Sequence, residues 1–400
     1  MRTAAVLLAR AVAADDDDIA AALWQQAHVR TTIEFAASQG VVGLLATTAH
    51  RLGAADALAE AAQRSARAVA FGQLTLLAAH RSLTAALDAA GIAVMTLKGP
   101  VLQVREWGAD VRPYADLDLL VRARDLAEAL DVVERLGGAI VDRNWRLLLD
   151  DGASEVHCSV LDGIPVDLHW HPVNHARTRD RFRVSVSELF DRAVPVTLPT
   201  GTTCALDPVD ALLHVALHAA VSGGHRLQWL VDIRRSAASP GIDWDTLRAR
   251  AAHARIGLPV ACMLGRAAAT VGTAAPVELP VSLVTRVQRP LLRPMSAWSP
   301  DGHLPGGGSL GRVSARSLRD TAPASAVAAW GAGTLMLRRV VERHEYWLDP
   351  DDPRHPSCRR GGDAIRRAFL ESVVADELRG SNATPREQRV AMRPFALQTR

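Results

Sequence analysis

Two aspartates lie two residues apart inside a segment that is otherwise typical of a buried strand. The segment reads Asp116-Leu-Asp118-Leu-Leu-Val121. Because side chains alternate between the two faces of a strand, both carboxylates point to one face, while Leu117, Leu119 and Val121 point to the other. Neighbouring carboxylates repel each other unless a cation lies between them. The pattern therefore predicts a site for a hard divalent cation, foremost Mg²⁺, which commonly brings phosphates with it.

A third carboxylate, Asp167, lies in a later apolar segment, Ile164-Pro-Val-Asp167-Leu-His-Trp170. The Asp162-Gly163 step separates this segment from another apolar run at 155–160, which is a strong hairpin signal. Asp167 is therefore expected on the return strand of a hairpin, beside the strand of the first two aspartates. The alternative is that Asp167 forms a salt bridge to Arg112 or to another arginine.

Three segments, in this order and spacing, resemble the bacterial uncharacterised nucleotidyltransferase family, within the DNA polymerase β-like nucleotidyltransferase superfamily. They are Thr96-Leu-Lys98-Gly99-Pro, then Arg112-x-x-x-Asp-Leu-Asp-Leu-Leu-Val121, then Val166-Asp-Leu-His-Trp170. The resemblance runs over residues 40–238 and also includes Gly40-Val-Val-Gly-Leu-Leu and the helix start at 206–214. It implies a nucleotidyltransferase core and an enzyme that moves NMP from an NTP to a hydroxyl, or to a phosphate, and releases pyrophosphate.

The resemblance also implies roles for the carboxylates. Asp116, Asp118 and Asp167 would bind the cation that bridges the triphosphate, which is Mg²⁺ or, as the alternative, Mn²⁺. Asp167 would in addition take the proton of the acceptor hydroxyl as general base.

Residues upstream of the carboxylates are predicted to bind the nucleotide. Glycine after a strand lets the backbone approach a phosphate, so Gly99 is expected to do so and Lys98 to add its charge. Classical superfamily members have Gly-Ser or Gly-Gly at this turn, whereas this chain has Lys-Gly-Pro. Arg112 is expected to contact phosphate or to hold Asp116.

Several histidines and a tryptophan are further candidates. His169 and His171 share a strand face with Asp167, and His169 is expected to tune or replace a ligand at the nucleotide site. His214 and His218 have the spacing of a zinc pair, but no glutamate follows His214 and no third ligand is evident in the sequence.

The substrate cleft is predicted between the sheet and the helices that begin at Asp207, with His218 and Trp229 among its nucleotide-binding residues. Plain packing is the alternative for His214 and His218. Arg226 and Asp232 share helical spacing with Trp229 and would form one wall, although Asp232 paired with an arginine would be structural.

The predicted fold class is α+β, with a small mixed sheet flanked by helical regions. Its predicted parts are a helical region at 1–90, the nucleotidyltransferase core at 91–204, a helical domain at 205–348 and a largely irregular or disordered tail at 349–400. Helices are predicted at 19–28, 31–38, 41–52, 57–90, 101–107, 123–136, 207–221, 226–237, 244–254, 258–271, 324–346 and 363–378. Strands are predicted at 92–97, 116–121, 146–149, 155–160 and 164–170, and an irregular loop at 276–311.

Composition limits the partners and the compartment. The formal net charge is only +3 over 400 residues, which does not favour nucleic acid. The four cysteines are isolated, so neither disulfides nor a zinc site is expected. No apolar run is long enough to span a membrane. Arg10 interrupts the apolar N-terminal stretch, which therefore favours a helix over a signal peptide. We expect a cytoplasmic enzyme with ATP as the favoured donor.

The acceptor remains open among a small molecule, a peptide natural product and a protein, with RNA the least favoured. Two rival functions share the same residues: a phosphotransferase on this scaffold, and a nucleotide-binding regulatory or antitoxin-like protein with little turnover. The three intact aspartates argue against the second rival.

Overall fold

The structure is a computed structural model that describes residues 2–161, 163–174, 176–179, 182–272, 298, 326, 330 and 362–380. Contacts divide the chain into two compact units. The first, here the helical unit, comprises 1–77, 98–115 and 207–326, and the second, here the sheet unit, comprises 78–97, 116–206 and 327–400. The four-part domain division made from the sequence stays a prediction.

The described elements follow each other along the chain in this order: α1 Arg2–Ala13, α2 Asp17–Trp24, α3 Val29–Ser38, α4 Val42–Arg51, α5 Ala57–Ala89, β1 Val94–Thr96, α6 Pro100–Leu102, β2 Leu117–Val121, α7 Leu126–Arg135, β3 Ala139–Ile140, α8 Trp145–Asp151, β4 Glu155–Val160, β5 Ile164–His169, α9 Ala176–Arg179, α10 Val186–Asp191, β6 Val194–Leu198, β7 Gly201–Ala205, α11 Pro208–Val221, α12 Leu227–Ala237, α13 Trp244–His253, α14 Gly257–Val271 and α15 Asp363–Gly380. A π-helix over Gln103–Trp107 continues α6, and a 3₁₀ turn over Ala123–Asp125 precedes α7.

Two helices of the helical unit begin at the capping aspartates that the sequence indicates. The Asp16 side chain accepts a hydrogen bond from the Ile19 backbone at 3.0 Å, so the acidic run opens α2. The Asp207 side chain likewise accepts from the Asp210 backbone at 2.9 Å, with Pro208 in the first turn of α11. The predicted helices α2 to α5 and α11 to α14 are confirmed, with their ends shifted by a few residues.

The sheet unit contains one seven-stranded sheet in the order β3-β4-β5-β2-β1-β7-β6. β2 and β5 are parallel, as are β1 and β7, and the other neighbours are antiparallel. The predicted α+β fold class with a mixed sheet is confirmed. The hairpin predicted around Gly163 is also confirmed, because β4 and β5 pair antiparallel from Val160↔Ile164 to Glu155↔His169.

The apolar side chains of these strands form a core on one face of the sheet. Leu117, Leu119, Val166, Leu168 and Val156 are all almost completely buried. Burial of such side chains stabilises each by about 1.5–3 kcal/mol. Because this face is fixed by packing, the polar residues that alternate with it are held on the opposite face.

One predicted strand is wrong. Residues 146–149 lie in helix α8, whose N-cap is Asn144, since its side chain accepts from the Leu147 backbone at 3.1 Å. The run Arg-Leu-Leu-Leu lacks β-branched residues and follows a capping asparagine, so helix propensity and the cap outweigh its apolar character. The sequence patterns also missed β3 and the β6–β7 hairpin.

The chain beyond position 272 is described at few positions. α15 confirms the helix predicted at 363–378. It packs on α8, where the Trp145 and Phe369 ring centroids lie 5.8 Å apart. The predicted loop at 276–311, the predicted helix at 324–346 and the remainder of the predicted tail lie outside the described residues, apart from positions 298, 326 and 330.

Three of the cysteines are free thiols, as predicted: Cys158, Cys204 and Cys262. Cys358 lies outside the described residues. Among the helices that the structure describes, none combines the length and the apolar character that a membrane span requires.

Candidate functional site

Three strands of the sheet unit carry polar side chains on one face. β5 lies between β4 and β2, and the register aligns Asp118 of β2, Asp167 of β5 and His157 of β4 in one row. The next row carries His169 of β5 opposite Glu155 of β4. Directly opposed residues project to the same face, so all five side chains share one surface.

Asp118, Asp167 and His169 form the compact centre of this surface. One ligand atom from each lies within 4.8 Å of the others. His169 Nε2 is 3.2 Å from Asp118 Oδ1. Asp118 is 7% exposed and His169 is 6% exposed, so their polar atoms are largely withdrawn from water.

The electrostatics of this centre favour the arrival of positive charge. Burial raises the pKa of Asp167 to about 6, and the negative charges of Asp118 and Asp116 add to this effect. His157 and His169 act in the opposite direction on the same carboxyl. A carboxylate that is costly to ionise beside other carboxylates becomes easier to ionise when a cation binds.

His157 is a site residue that the sequence patterns missed. Its Nδ1 is 2.7 Å from Asp142 Oδ2, and its Nε2 is 3.7 Å from Asp167 Oδ1. The hydrogen bond to Asp142 raises the pKa of His157 to about 9. The available signal was its place in β4, since the predicted hairpin puts alternate β4 residues on the face of Asp167.

Asp116 lies immediately before β2 and is half-buried. It is not one of the three residues grouped within 4.8 Å, yet its charge acts on Asp167. Its assignment as a cation ligand stays a prediction.

His171 is held by the backbone instead. The Val173 N–H donates to His171 Nδ1 at 3.0 Å, and His171 Nε2 lies 3.3 Å from the Val184 carbonyl. Burial lowers the pKa of His171 to about 4, so the ring is neutral and fixes the loop after β5.

The other predicted nucleotide-binding residues lie in the helical unit. Gly99 is buried with φ +45° and precedes Pro100, the first residue of α6. Lys98 is half-buried. The Arg112 guanidinium donates two hydrogen bonds of 2.8 Å to the two Asp232 carboxylate oxygens. The nucleotide contacts expected of Lys98, Gly99 and Arg112 stay predictions.

Asp232 is held by a third donor as well. The Trp107 indole N–H donates to Asp232 Oδ1 at 2.8 Å, and Arg112 is only 5% exposed. The sequence had left open whether Asp232 pairs with an arginine, and the structure contains that pair.

His218 and Trp229 belong to a cluster of rings on α11, α12 and the turn that joins them. The ring centroids of His218 and Trp229 are 5.5 Å apart with perpendicular planes, and those of His225 and Trp229 are 5.0 Å apart. The Arg226 guanidinium lies 5.8 Å from the Trp229 ring centre. His225 was not predicted. The nucleotide-binding roles of His218 and Trp229 stay predictions.

The family model described as "Uncharacterised nucleotidyltransferase" matches residues 25–272, which include the whole polar surface of β2, β4 and β5. This match covers more than half of the chain. The chain belongs to the uncharacterised nucleotidyltransferase family. No curated protein and no solved structure matches it significantly.

The centre fits the divalent cation that nucleotidyltransferases commonly use. Two carboxylates and one imidazole, converging within 4.8 Å, supply the oxygen and nitrogen donors that such cations accept. A cation would also neutralise the Asp167 carboxylate, which burial and the neighbouring carboxylates make costly to ionise. Asp118, Asp167 and His169 therefore form a group that can hold a divalent cation.

Proposed function

We propose that this chain is a divalent-cation-dependent nucleotidyltransferase that moves NMP from an NTP to a hydroxyl or phosphate of its acceptor and releases pyrophosphate. ATP is the favoured donor and Mg²⁺ or Mn²⁺ the cation. The proposal places the chain in the DNA polymerase β-like superfamily. Family membership supports the reaction class.

The observation that carries the proposal is the register of β2 and β5. Asp118 lies directly opposite Asp167 in neighbouring parallel strands, on a sheet face that also carries His169. Such a pair raises the energy of the folded chain unless a cation compensates the charges. A buried carboxylate opposite a half-buried one, with a converging imidazole, is thus better explained by ligand binding than by stability.

The chemical step assigns distinct tasks to these side chains. A cation bound by Asp118, Asp167 and His169 would stabilise the charge that develops on the reacting oxygens. Asp167 takes the proton of the acceptor hydroxyl as the acceptor oxygen bonds to the α-phosphorus. The bond from the α-phosphorus to the bridging oxygen breaks, and pyrophosphate leaves with the electron pair.

The remaining residues would position the donor. Lys98 and Gly99 would contact the phosphates, and Arg112 would contact phosphate or hold Asp116. His218 and Trp229 would contact the base, since an aromatic ring offers a face or an edge to it. Asp116 would be a further cation ligand.

The decisive experiment is product analysis with ATP labelled at the α- or the γ-phosphate. The purified full chain is incubated with Mg²⁺ or Mn²⁺ and with separate small-molecule, peptide and protein fractions of a cell extract. Pyrophosphate together with α-label on an acceptor is the expected result. ADP together with γ-label on the acceptor would instead establish a phosphotransferase. If no fraction gives a labelled product, the result would favour a nucleotide-binding regulatory or antitoxin-like protein with little turnover. Asp150→Asn, in an exposed ion pair on α8, is the matched control for Asp118→Asn.

A further inference from the structure

His169 lies between two carboxylates. Its Nε2 is 3.2 Å from Asp118 Oδ1 and forms a hydrogen bond there, whereas its Nδ1 is 3.3 Å from Glu155 Oε2, an ion-pair contact that does not have the angle of a hydrogen bond in this structure. The ring is 6% exposed, so water has little access to either nitrogen. One edge of the imidazole therefore faces the cation centre and the other faces Glu155, which is not a member of that centre.

Glu155 is itself held in place. It pairs with His169 across the β4–β5 ladder, which sets its side chain beside the ring. The Asn174 side-chain amide donates a short hydrogen bond to Glu155 Oε1. The Asn174 carbonyl oxygen in turn accepts from the Ser154 backbone at 3.0 Å. Glu155 thus presents its second oxygen to His169 from a fixed position.

We propose that Glu155 is a positioning residue of the cation centre: in the cation-bound state it accepts the Nδ1–H of His169, which lies 3.3 Å away in this structure, and so reserves Nε2 as a nitrogen ligand for the cation. The proposal rests on the cation-dependent function given above. A neutral imidazole has one N–H and one lone pair, so a fixed acceptor at Nδ1 decides which nitrogen can bind a cation. Carboxylates behind cation-binding histidines commonly do this, and their loss weakens affinity about 10–100-fold.

A nitrogen ligand also affects the choice of cation. Mg²⁺ prefers oxygen ligands, whereas Mn²⁺ accepts the same oxygens and shares the affinity of first-row metals for imidazole. With His169 correctly oriented, the centre should bind Mn²⁺ more tightly than Mg²⁺. Loss of the orientation should weaken Mn²⁺ binding more than Mg²⁺ binding.

The test is titration of the full chain with Mn²⁺, without nucleotide, followed by electron paramagnetic resonance, with Mg²⁺ measured by competition. Glu155→Ala should weaken Mn²⁺ binding about 10–100-fold and lower the ratio of Mn²⁺ to Mg²⁺ affinity. Glu155→Gln keeps an acceptor oxygen and should lose less. Glu128→Ala, in an exposed ion pair on α7, is the matched control and should leave both affinities unchanged.

A double-variant cycle shows whether Glu155 acts through His169. In a His169→Ala background, Glu155→Ala should have no further effect on Mn²⁺ affinity, because the group it orients is gone. Nitrogen-15 spectra of the histidines with Mg²⁺ should show His169 carrying its proton on Nδ1. These spectra and Glu155→Gln decide the question if Glu155→Ala does not fold.

The outcomes separate this proposal from the proposed function. If the wild-type chain binds Mn²⁺ and Glu155→Ala binds it with the same affinity, the role of Glu155 is overturned and the cation-dependent function stands. Equal losses in the wild-type and His169→Ala backgrounds would make Glu155 a structural residue, and so would a His169 proton on Nε2. Absence of Mn²⁺ and Mg²⁺ binding to the wild-type chain would overturn the cation centre and the proposed function together.

Discussion

Asp118 and Asp167 lie opposite each other on neighbouring parallel strands. Removal of one of these charges should therefore weaken cation binding but relieve repulsion in the cation-free chain. Asp118→Asn should lower NMP transfer at least about 100-fold, since a bound cation supplies several kcal/mol and each 1.4 kcal/mol is tenfold in rate. The melting temperature without divalent cations should stay equal or rise, because the repulsion is relieved. Pyrophosphate release and calorimetry check the two effects.

The control for Asp118→Asn is Asp150→Asn, which removes a carboxylate from an exposed ion pair of Arg146. It should change neither quantity measurably. Normal transfer by a folded Asp118→Asn chain would contradict the assignment of Asp118 to the cation centre.

Asp167 should make the stability of the chain depend on pH when divalent cations are absent. Its pKa is about 6 in the folded chain, against an ordinary value of 3.8. Between pH 3.8 and about pH 6 the folded state holds more protons than the unfolded state, so the free energy of unfolding falls as pH rises. His157, with its pKa raised to about 9 from 6.5, is protonated in both states over most of this window.

The measurement is the melting temperature of wild type and Asp167→Asn between pH 4 and pH 7 in a chelating buffer. The wild-type melting temperature should fall relative to that of the variant as pH rises through the window. Addition of Mn²⁺ at pH 7 should raise the wild-type melting temperature again, because the cation compensates the ionised Asp167. Parallel curves would show that Asp167 titrates normally.

Arg112 is part of a buried ion pair, and this predicts a stability effect that is separate from any role in nucleotide binding. Arg112→Met removes two of the three hydrogen bonds that the described residues donate to the buried Asp232 carboxylate, and breaking such pairs costs about 3–5 kcal/mol. Asp232→Asn added to Arg112→Met removes the uncompensated charge and should recover part of this loss.

Calorimetry measures the recovery, and the KM for ATP of the double variant then tests the predicted phosphate contact. A KM raised severalfold in a stable double variant would support that contact. An unchanged KM would make Arg112 purely structural.

At the scale of elements, α15 contributes more to the packing of the sheet unit than its sequence pattern indicates. Phe369, Val373 and Val374 are almost fully buried, and Arg179 of α9 forms an ion pair with Asp376. Truncation before Asp363 should therefore lower the melting temperature by several degrees, since burial of each such side chain is worth about 1.5–3 kcal/mol.

Truncation after Gly380 is the matched control, because residues 381–400 carry little apolar periodicity. It should leave the melting temperature nearly unchanged. A large loss from this shorter deletion would contradict the prediction that the end of the chain contributes little stability.

Local signals predicted the elements that depend on neighbouring residues. The cap at Asp207 and the alternation in β2 and β5 are contained in a few positions each, so α11 and the strand of Asp167 were predicted correctly. The β6–β7 hairpin was missed, although Val194, Val196 and Leu198 alternate, because its place in the sheet depends on the distant pair Thr96↔Ala205. Residues 146–149 were assigned to a strand because an apolar run alone does not distinguish helix from strand.

The site residues were likewise predictable where their positions depend on local periodicity, and not where they depend on distant partners. Asp118, Asp167 and His169 follow from strand periodicity, which sets the face of each side chain. His157 and Glu155 become visible only when β4 is aligned with β5, since their roles come from partners across the ladder. The pairing of Arg112 with Asp232 joins residues far apart in the chain, and no local pattern specifies it.

At the scale of the whole molecule, the nucleotide-binding prediction involves residues that belong to different compact units of the chain. Asp118 and Asp167 belong to the sheet unit, and His218 and Trp229 belong to α11 and α12 of the helical unit. If all four contact one nucleotide, its binding should stabilise backbone amides in β2, β5, α11 and α12, while α2 to α4 should be unaffected. Ligand binding slows exchange where it suppresses local opening.

Hydrogen exchange of the full chain with Mn²⁺ and α,β-methylene ATP measures this pattern. Asp118→Asn with the same nucleotide is the control, because it should weaken the protection in every element if cation and nucleotide bind together. Protection confined to β2 and β5 would remove His218 and Trp229 from the nucleotide-binding residues. Protection of α2 to α4 with no change at 208–237 would show that the base binds elsewhere on the helical unit, and the ring cluster of Trp229 would then be a packing feature.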